Sequence, residues 1–249
     1  PDWPLCHGQI IPPINIPTLI EYSHRLVTVM VSIFVIWVSI SVWSRHKNQP
    51  LILIICSLGA GLLLLQILLG GITVLTQLNP KIVIGHLAIA QAFFATYITL
   101  TYLCRDSKIN SQVRLRETAQ FKYMPLALMT GVLVYVTMLT GSYVTTSIAS
   151  DICTSWPLCN ETLWGSSSES ILHMIHRYMA ATAGILVLTL ITRTWRRNIL
   201  SHQSKIIMAL LGIGLLGQIT LGAMNVWVPS DSILQAFHLI LGTVVWGFT

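Results

Sequence analysis

Apolar residues in this chain fall into long runs that are separated by short polar stretches. Each run is close to the ~20 residues that an α-helix needs to cross a bilayer. The pattern therefore predicts seven transmembrane helices. The runs cover residues 22–43, 51–77, 82–104, 124–145, 171–192, 206–228 and 232–249.

Composition agrees with a membrane setting. Hydrophobic residues make up 54% of the 249 positions and charged residues only 9%, against roughly 25% charged residues in an ordinary soluble domain. The net charge of +6 could indicate a nucleic-acid partner. The positions of the basic residues argue against that, because they cluster in loops between apolar runs. We expect contact with a lipid bilayer and no nucleic acid.

The basic residues also predict the topology. Eleven of the fourteen Lys and Arg residues lie in three alternate loops, which the positive-inside rule places in the cytoplasm or the mitochondrial matrix. The other loops are mainly acidic, so both cysteine loops should lie on the outer face. We expect a multi-pass protein of the bacterial or archaeal cell membrane, or of the mitochondrial inner membrane. The basic loops contain Arg45 and Lys47; Arg105, Lys108, Arg114, Arg116 and Lys122; and Arg193, Arg196, Arg197 and Lys205.

The chain contains an internal repeat. "WPLC" occurs at residues 3–6 and again at 156–159, and the similarity extends into the helices at an offset of 152 residues. At this offset "EYSHR" (21–25) falls on "HMIHR" (173–177), "QILLGGITV" (66–74) on "QITLGAMNV" (218–226), and His86 on His238. Four helices separate equivalent positions, so the two halves should be parallel repeats about an axis along the membrane normal.

The repeat predicts the fold. The second half supplies four apolar runs and the first half only three, so we expect one more helix upstream of Pro1 in a longer chain. The predicted fold is an all-α membrane protein of two parallel, pseudo-twofold four-helix bundle repeats, with eight transmembrane helices in the full chain and seven here. We expect an N-terminal half at 1–104, a cytoplasmic linker at 105–123 and a C-terminal half at 124–249.

Four histidines occur at membrane depth, where ionisable groups are costly and usually functional. They are two per repeat, on the second and fourth helix of each predicted bundle, and a lone membrane histidine could instead be a packing residue. One histidine from each of two helices can ligate a haem iron from both sides. Zinc or copper would need further ligands that are scarce nearby. The candidates are His24, His86, His176 and His238.

Several neighbouring residues suit a haem but also have plainer explanations. Arg25 and Arg177 directly follow two of the histidines and could pair with haem propionates, or could simply reach toward the interface. The repeat also carries glycines, which leave room for a flat macrocycle or serve helix packing. Gln66 and Gln218 could form hydrogen bonds inside each bundle or merely join helices.

The two repeats differ at one position that bears on chemistry. Glu21 stands three residues before His24, whereas His173 holds the same place in the second half. The spacing puts Glu21 and His24 on one helix face. Glu21 could instead be an interfacial carboxylate favoured by the helix dipole. A symmetric electron carrier has no need of this difference, so one haem site is predicted to be chemical and the other auxiliary.

Cysteine positions fit the predicted outer face. Cys153 and Cys159 lie on the oxidising side, where a disulfide can persist, either redox-active or fixing the loop; two free thiols are the alternative. Cys6 has no partner in the printed sequence. Cys56 and Cys104 lie in or at the ends of apolar helices and are expected to be small core residues.

These motifs together resemble the heme A synthase family, the membrane enzymes of cytochrome oxidase assembly. The resemblance rests on "PDWPLCHG", "EYSHR", "QILLGGITV", "CTSWPLC" and "HMIHR", with His86 and His238, and covers nearly the whole chain. It implies eight helices in two halves, and oxidation of the C8 methyl of heme O to the formyl of heme A with water as the oxygen source.

The resemblance also implies roles for single residues. His24 and His86 would hold the substrate haem, Glu21 would act at the methyl group, and His176 and His238 would ligate a permanent heme b. Arg25 and Arg177 would contact the haems. The cysteine loops would form outer-face disulfides, with the partner of Cys6 just upstream of Pro1. Heme O synthase, oxidase assembly factors and an electron acceptor are the expected protein partners.

Two other functions remain open on the sequence. A di-haem b-type electron-transfer protein, such as a quinol-oxidising membrane subunit, would also hold four histidines but would not depend on Glu21. A parallel-repeat transporter could use the histidines as a proton relay and would contain no haem.

Overall fold

The fold was analysed in a computed structural model, which describes residues 16–106, 123–147, 151–196, 202–229 and 231–249. The described part of the chain is helical and has no strand apart from an isolated bridge between Cys159 and Thr162. This confirms the all-α prediction. The helices are α1 (Ile16–Arg45), α2 (Pro50–Leu75), α3 (Pro80–Asp106), α4 (Met124–Thr146), α5 (Ser168–Trp195), α6 (His202–Trp227) and α7 (Ser232–Phe248).

The helices have the length and composition of membrane spans. Within the described residues, six segments of 23 to 28 residues are apolar enough to cross a bilayer, and α7 is a shorter apolar helix of 17 residues. Large apolar side chains such as Trp37 and Ile40 are about two-thirds exposed, at 65% and 66%. In water such exposure would be costly, whereas in a bilayer these side chains face lipid. The chain is therefore a multi-pass membrane protein.

The helices form two compact units, within residues 1–109 and 110–249. In the first unit α2 packs against both α1 and α3. Its core includes Val42 from α1, Ile52 and Cys56 from α2, and Leu100 from α3. Cys56 is fully buried, as expected of a small core residue.

The described part of the second unit is a closed bundle of four helices. Each consecutive pair from α4 to α7 packs together, and α7 returns to pack on α4. The core contains Val187 and Leu211, both with no exposed surface. The Trp246 indole Nε1 donates to the carbonyl oxygen of Gly131 at 2.9 Å, which closes the bundle between α7 and α4.

Helix boundaries follow the sequence repeat. Adding the offset of 152 to the end of α2 at 75 gives 227, where α6 ends, and adding it to the start of α3 at 80 gives 232, where α7 starts. The residues before α3 and α7 also have the same role. Asn79 accepts a hydrogen bond from the backbone of Lys81 at 3.1 Å, and Asp231 accepts from Ile233 at 2.9 Å. Side-chain oxygens at this position satisfy backbone N–H groups that the first helical turn leaves unpaired.

Some sequence predictions concern residues outside the described ranges. Cys6 and residues 107–122 of the expected linker are among them. The assignment of a substrate site to the first half and a heme b site to the second remains a prediction.

Candidate functional site

The first unit brings His86 against two residues of the preceding helix. Gln66 and Gly70 lie one turn apart on α2 and so share a face. The Gln66 amide Nε2 is 3.0 Å from the His86 ring Nε2. A Cβ added to Gly70 would lie 3.4 Å from the His86 Cε1. The α2–α3 contact therefore places an amide and a glycine beside the imidazole.

The second unit repeats this arrangement with equivalent residues. The Gln218 amide Nε2 on α6 is 3.4 Å from the His238 Nε2 on α7. A Cβ on Gly222 would lie 3.2 Å from the His238 Cε1. The sequence repeat thus preserves a three-residue contact as well as a helical pattern.

Buried polar atoms without a hydrogen-bond partner concentrate at these two contacts. They include the Nδ1 atoms of His86 and His238 and the Oε1 atoms of Gln66 and Gln218. Burying a polar atom without a partner costs roughly 1–3 kcal/mol. Such atoms in corresponding places of both halves indicate a site that is completed by a ligand or a rearrangement.

His176 has a different environment, formed by α4. Thr140 Oγ1 donates to the Thr137 carbonyl oxygen at 2.9 Å and lies 3.3 Å from the His176 Nδ1. Because the single hydroxyl proton is used for Thr137, Oγ1 accepts the hydrogen bond from Nδ1–H. The tautomer defined in this way leaves the Nε2 lone pair available to a metal.

Gly141, the neighbour of Thr140, allows His176 to approach α4. A Cβ at Gly141 would lie only 2.7 Å from the His176 Cε1. A side chain there would displace the ring, so the glycine is required by close packing.

The four predicted histidines are divided between the two units. His24 and His86 lie in the first unit, and His176 and His238 lie in the second. Three of them are partly buried, whereas His24 is exposed. Helix α4 covers His176 in the second unit, and the described part of the first unit has no helix in the corresponding place.

Glu21 forms an ion pair that the sequence analysis did not predict. Arg25 Nη2 donates to Glu21 Oε1 at 2.5 Å, one helical turn away, and the side chains are 21% and 47% exposed respectively. The pair places the predicted catalytic carboxylate and the predicted propionate-binding arginine side by side. Glu21 and His24 stand on the same turns of α1, as the spacing predicted.

In the second unit the equivalent arginine contacts a loop. Arg177 Nη1 donates to the carbonyl oxygens of Ser155 and Pro157 at 2.8 and 3.0 Å. Its Nη2 lies 3.5 Å from the Nε2 of the buried His173, and its Nε is buried without a partner. The His173 position, where the first half has Glu21, therefore belongs to a buried cluster below the loop.

The loop is closed by a disulfide between Cys153 and Cys159, which confirms the disulfide prediction. Both cysteines are 1% exposed and pack against Met174 of α5. The Asn160 side chain crosslinks the loop, accepting from Thr154 N at 3.2 Å and donating to the Ile152 carbonyl at 2.9 Å. The loop is thus an ordered cap on the start of α5.

Sequence reasoning missed Thr140, Gly141 and the loop carbonyls that Arg177 binds. Thr140 and Gly141 lie on α4. At the offset of 152 residues no position of the printed sequence corresponds to them, so no repeated motif marked them. The only hint in the sequence was that a hydroxyl residue, Thr140, is followed directly by a glycine, Gly141. Backbone acceptors such as the Ser155 carbonyl leave no trace in the sequence.

The donor set fits a haem better than an isolated metal ion. The described residues contain no group of three or more His, Cys, Asp and Glu side chains that could hold a metal ion. Tetrahedral zinc needs more protein ligands than one pair of imidazoles, whereas haem iron needs only two axial ligands. The Nε of Arg177 is a buried donor without a partner, of the kind that an anionic haem propionate would complete.

Comparison with known proteins shows the family of this chain. The COX15-CtaA family, described as cytochrome oxidase assembly protein, matches residues 14–249. A heme A synthase from an Exiguobacterium species is 32% identical over 244 residues, covering 95% of this chain and 77% of that protein. Heme A synthases from Shouchella clausii and Staphylococcus saprophyticus are each 29% identical, covering 96% and 99% of this chain and 80% and 82% of those proteins.

The match to residues 14–249 extends through both units. The chain therefore belongs to the COX15-CtaA family of cytochrome oxidase assembly proteins.

Proposed function

We propose that the protein is a heme A synthase, which oxidises the C8 methyl of heme O to the formyl group of heme A. The observation that carries the proposal is a repeated histidine site with one asymmetric position. Each unit has the same His, Gln and Gly contact. The first unit has a carboxylate, Glu21, three residues before His24, whereas the second has His173 three residues before His176. The relatives named heme A synthase support this reaction over a simple electron carrier.

The two units divide the work in this proposal. His24 and His86 hold the substrate, heme O, in the first unit. His176 and His238 hold a resident heme b in the second unit, where Thr140 presents His176 with its Nε2 lone pair free. Heme b, when bound, supplies one-electron transfer that carries reducing equivalents away from the substrate site.

Glu21 acts at the reacting methyl group. Oxidation of a methyl attached to the porphyrin makes its carbon electron-deficient, and a nearby carboxylate stabilises that charge or takes a proton from the attacking water. Arg25 holds the carboxylate oxygen through the ion pair. Water as the source of the oxygen atom is part of the proposal.

The arginines provide donors for haem propionates. Arg25 donates from Nη2 to Glu21, and its guanidinium carries five N–H donors in all. Arg177 commits Nη1 to the loop carbonyls, but its Nε is a buried donor without a partner. A propionate beside Nε would satisfy this group.

The membrane supplies the setting for a lipophilic substrate. Heme O carries a farnesyl tail, and an apolar bundle in a bilayer lets that tail lie among lipids. We propose that the disulfide loop lies on the outer face, and that a heme O source, oxidase assembly factors and an electron acceptor are the protein partners.

Haem extraction tests the proposal directly. The full-length protein would be purified from cells that make heme O, and its haems separated by chromatography. Heme b together with heme O or heme A is the expected result. Heme b alone, with no conversion of added heme O, would identify a di-haem electron carrier, and a haem-free protein would favour the transporter.

A further inference from the structure

We infer that Gln66 and Gln218 are positioning residues for haem ligation, each serving the imidazole of the next helix. The inference rests on the proposed function, because it assigns His86 and His238 as iron ligands. Each glutamine contacts the ring with its amide nitrogen, at 3.0 Å from His86 and 3.4 Å from His238. The two contacts are equivalent in the repeat, with a sequence separation of 20 in each case.

The chemistry of the two side chains sets the direction of the hydrogen bond. An amide NH₂ group only donates, so the Nε2 atom of each ring must be the acceptor. In a neutral imidazole the proton then lies on Nδ1. Without haem, Gln66 and Gln218 therefore occupy the lone pair that would otherwise bind iron.

The unpaired atoms show how the same glutamines serve the loaded site. Each contact leaves one buried donor, the Nδ1–H of His86 or His238, and one buried acceptor, the amide Oε1 of Gln66 or Gln218. If haem iron took the Nε2 lone pair, the amide nitrogen would be displaced, and both the amide and the ring would have to reorient to bring Oε1 to Nδ1. The Nδ1–H···Oε1 hydrogen bond then pairs both atoms and makes the imidazole a stronger ligand.

Glycines lie beside both rings. A Cβ at Gly222 would lie 3.2 Å from the His238 Cε1, which is tighter than ordinary van der Waals contact. Gly70 is the equivalent residue beside His86, with a Cβ distance of 3.4 Å. The two glycines thus let each ring lie close against the helix that carries its glutamine.

The second unit offers a test that does not require turnover. Haem-depleted full-length protein and its Gln218→Leu variant would be titrated with heme b, and the reduction potential of the bound haem measured. Loss of a hydrogen-bond partner of a metal ligand commonly lowers metal affinity about 10–100-fold, and we expect a loss of that size. The potential should become more positive, because the imidazole donates less electron density to iron.

The conservative variant Gln218→Glu separates positioning from packing. A carboxylate is a stronger acceptor for Nδ1–H, so heme b should bind with a potential more negative than in the unmodified protein. Wild-type affinity and potential in Gln218→Leu would overturn the inference. If that variant does not fold, an unchanged potential in Gln218→Glu would overturn it instead.

The first unit provides a matched control. Gln66→Leu should lower the affinity of the first-half site for heme O, used as the probe, by a similar factor. Gln91→Leu removes another glutamine of the same unit, 4% exposed, from the helix that carries His86, and should leave the absorption spectrum of the His86-ligated haem unchanged. An equal spectral change in both variants would assign Gln66 a general packing role.

The outcomes also separate this inference from the proposed function. Failure of the unmodified protein to bind heme b or heme O would defeat the proposed function. Normal haem binding that is indifferent to Gln66 and Gln218 would defeat only the inference.

Discussion

Arg177 Nη1 lies 2.8 Å from the carbonyl oxygen of Ser155, and this contact joins the helix that carries His176 to the disulfide loop. A second bond from the same nitrogen reaches the Pro157 carbonyl at 3.0 Å. In the first unit the equivalent Arg25 pairs with Glu21 within its own helix. Equivalent arginines therefore have different partners, a loop in one half and a carboxylate in the other.

Removing the disulfide should destabilise the second unit. The Cys153→Ser, Cys159→Ser double variant loses the constraint on the loop, at about 2 kcal/mol for a loop of this length. Because Arg177 binds the same loop, Arg177 should contribute less to the stability of the double variant than to that of the unmodified protein. Thermal unfolding of the double variant, of Arg177→Gln and of their combination would measure the coupling, expected at about 0.5–3 kcal/mol for residues that share a network. Additive effects would show that loop and arginine act independently.

Thr140→Val should weaken heme b binding in the second unit. The valine keeps the shape of threonine but removes the oxygen that accepts the His176 Nδ1–H, leaving that donor buried at a cost of about 1–3 kcal/mol. Heme b content after purification would measure the effect. Thr140→Ser keeps the hydroxyl and should retain heme b; equal loss in both variants would point to packing.

Gly141→Ala should displace His176, since the new Cβ would lie 2.7 Å from its Cε1. We expect loss of heme b from the second unit with little effect on the haem of the first. Gly184→Ala is a suitable control on α5, because its Cβ would meet Leu215 at an ordinary 3.7 Å. Absorption spectra of the purified variants would report the result, and a Gly141→Ala protein with the normal heme b spectrum would contradict it.

Histidine replacement should separate the two haems. His176→Ala or His238→Ala should remove or loosen heme b while the first unit still accepts heme O, because each pair belongs to a separate unit. His24→Ala or His86→Ala should have the reverse effect. Haem extraction from the four variants would test this. Loss of every haem from all four would contradict the division of labour.

Glu21→Gln should preserve haem binding and abolish most of the activity. The amide keeps the size of the side chain but removes the charge. A catalytic carboxylate commonly accelerates the reaction by a factor of about 10²–10³. The variant should contain heme b and accumulate heme O or a partly oxidised alcohol.

The matched control is Glu169→Gln, in the first turn of α5. It should convert heme O normally. Normal heme A formation by Glu21→Gln would remove Glu21 from the catalytic site.

The seven helices and the internal repeat could be predicted from the sequence because their causes are local. A run of apolar residues must form a helix in a bilayer, where each backbone polar group needs a partner within the segment. The ends at Leu75 and Trp227 and the starts at Pro80 and Ser232 then follow the offset of 152 residues. The Cys153–Cys159 disulfide was also within reach, since its partners lie close together in the loop.

The partners of the functional side chains depended on how the helices pack. Both glutamines were visible as a repeated residue, but their contact with His86 and His238 requires the rotation of α2 against α3 and of α6 against α7. Thr140 meets His176 from a helix that shares no motif with it. Helix rotation is set by side chains that are distant in sequence and must fit together. The candidate ligands could therefore be identified from their residue types, whereas packing determined which atoms face them.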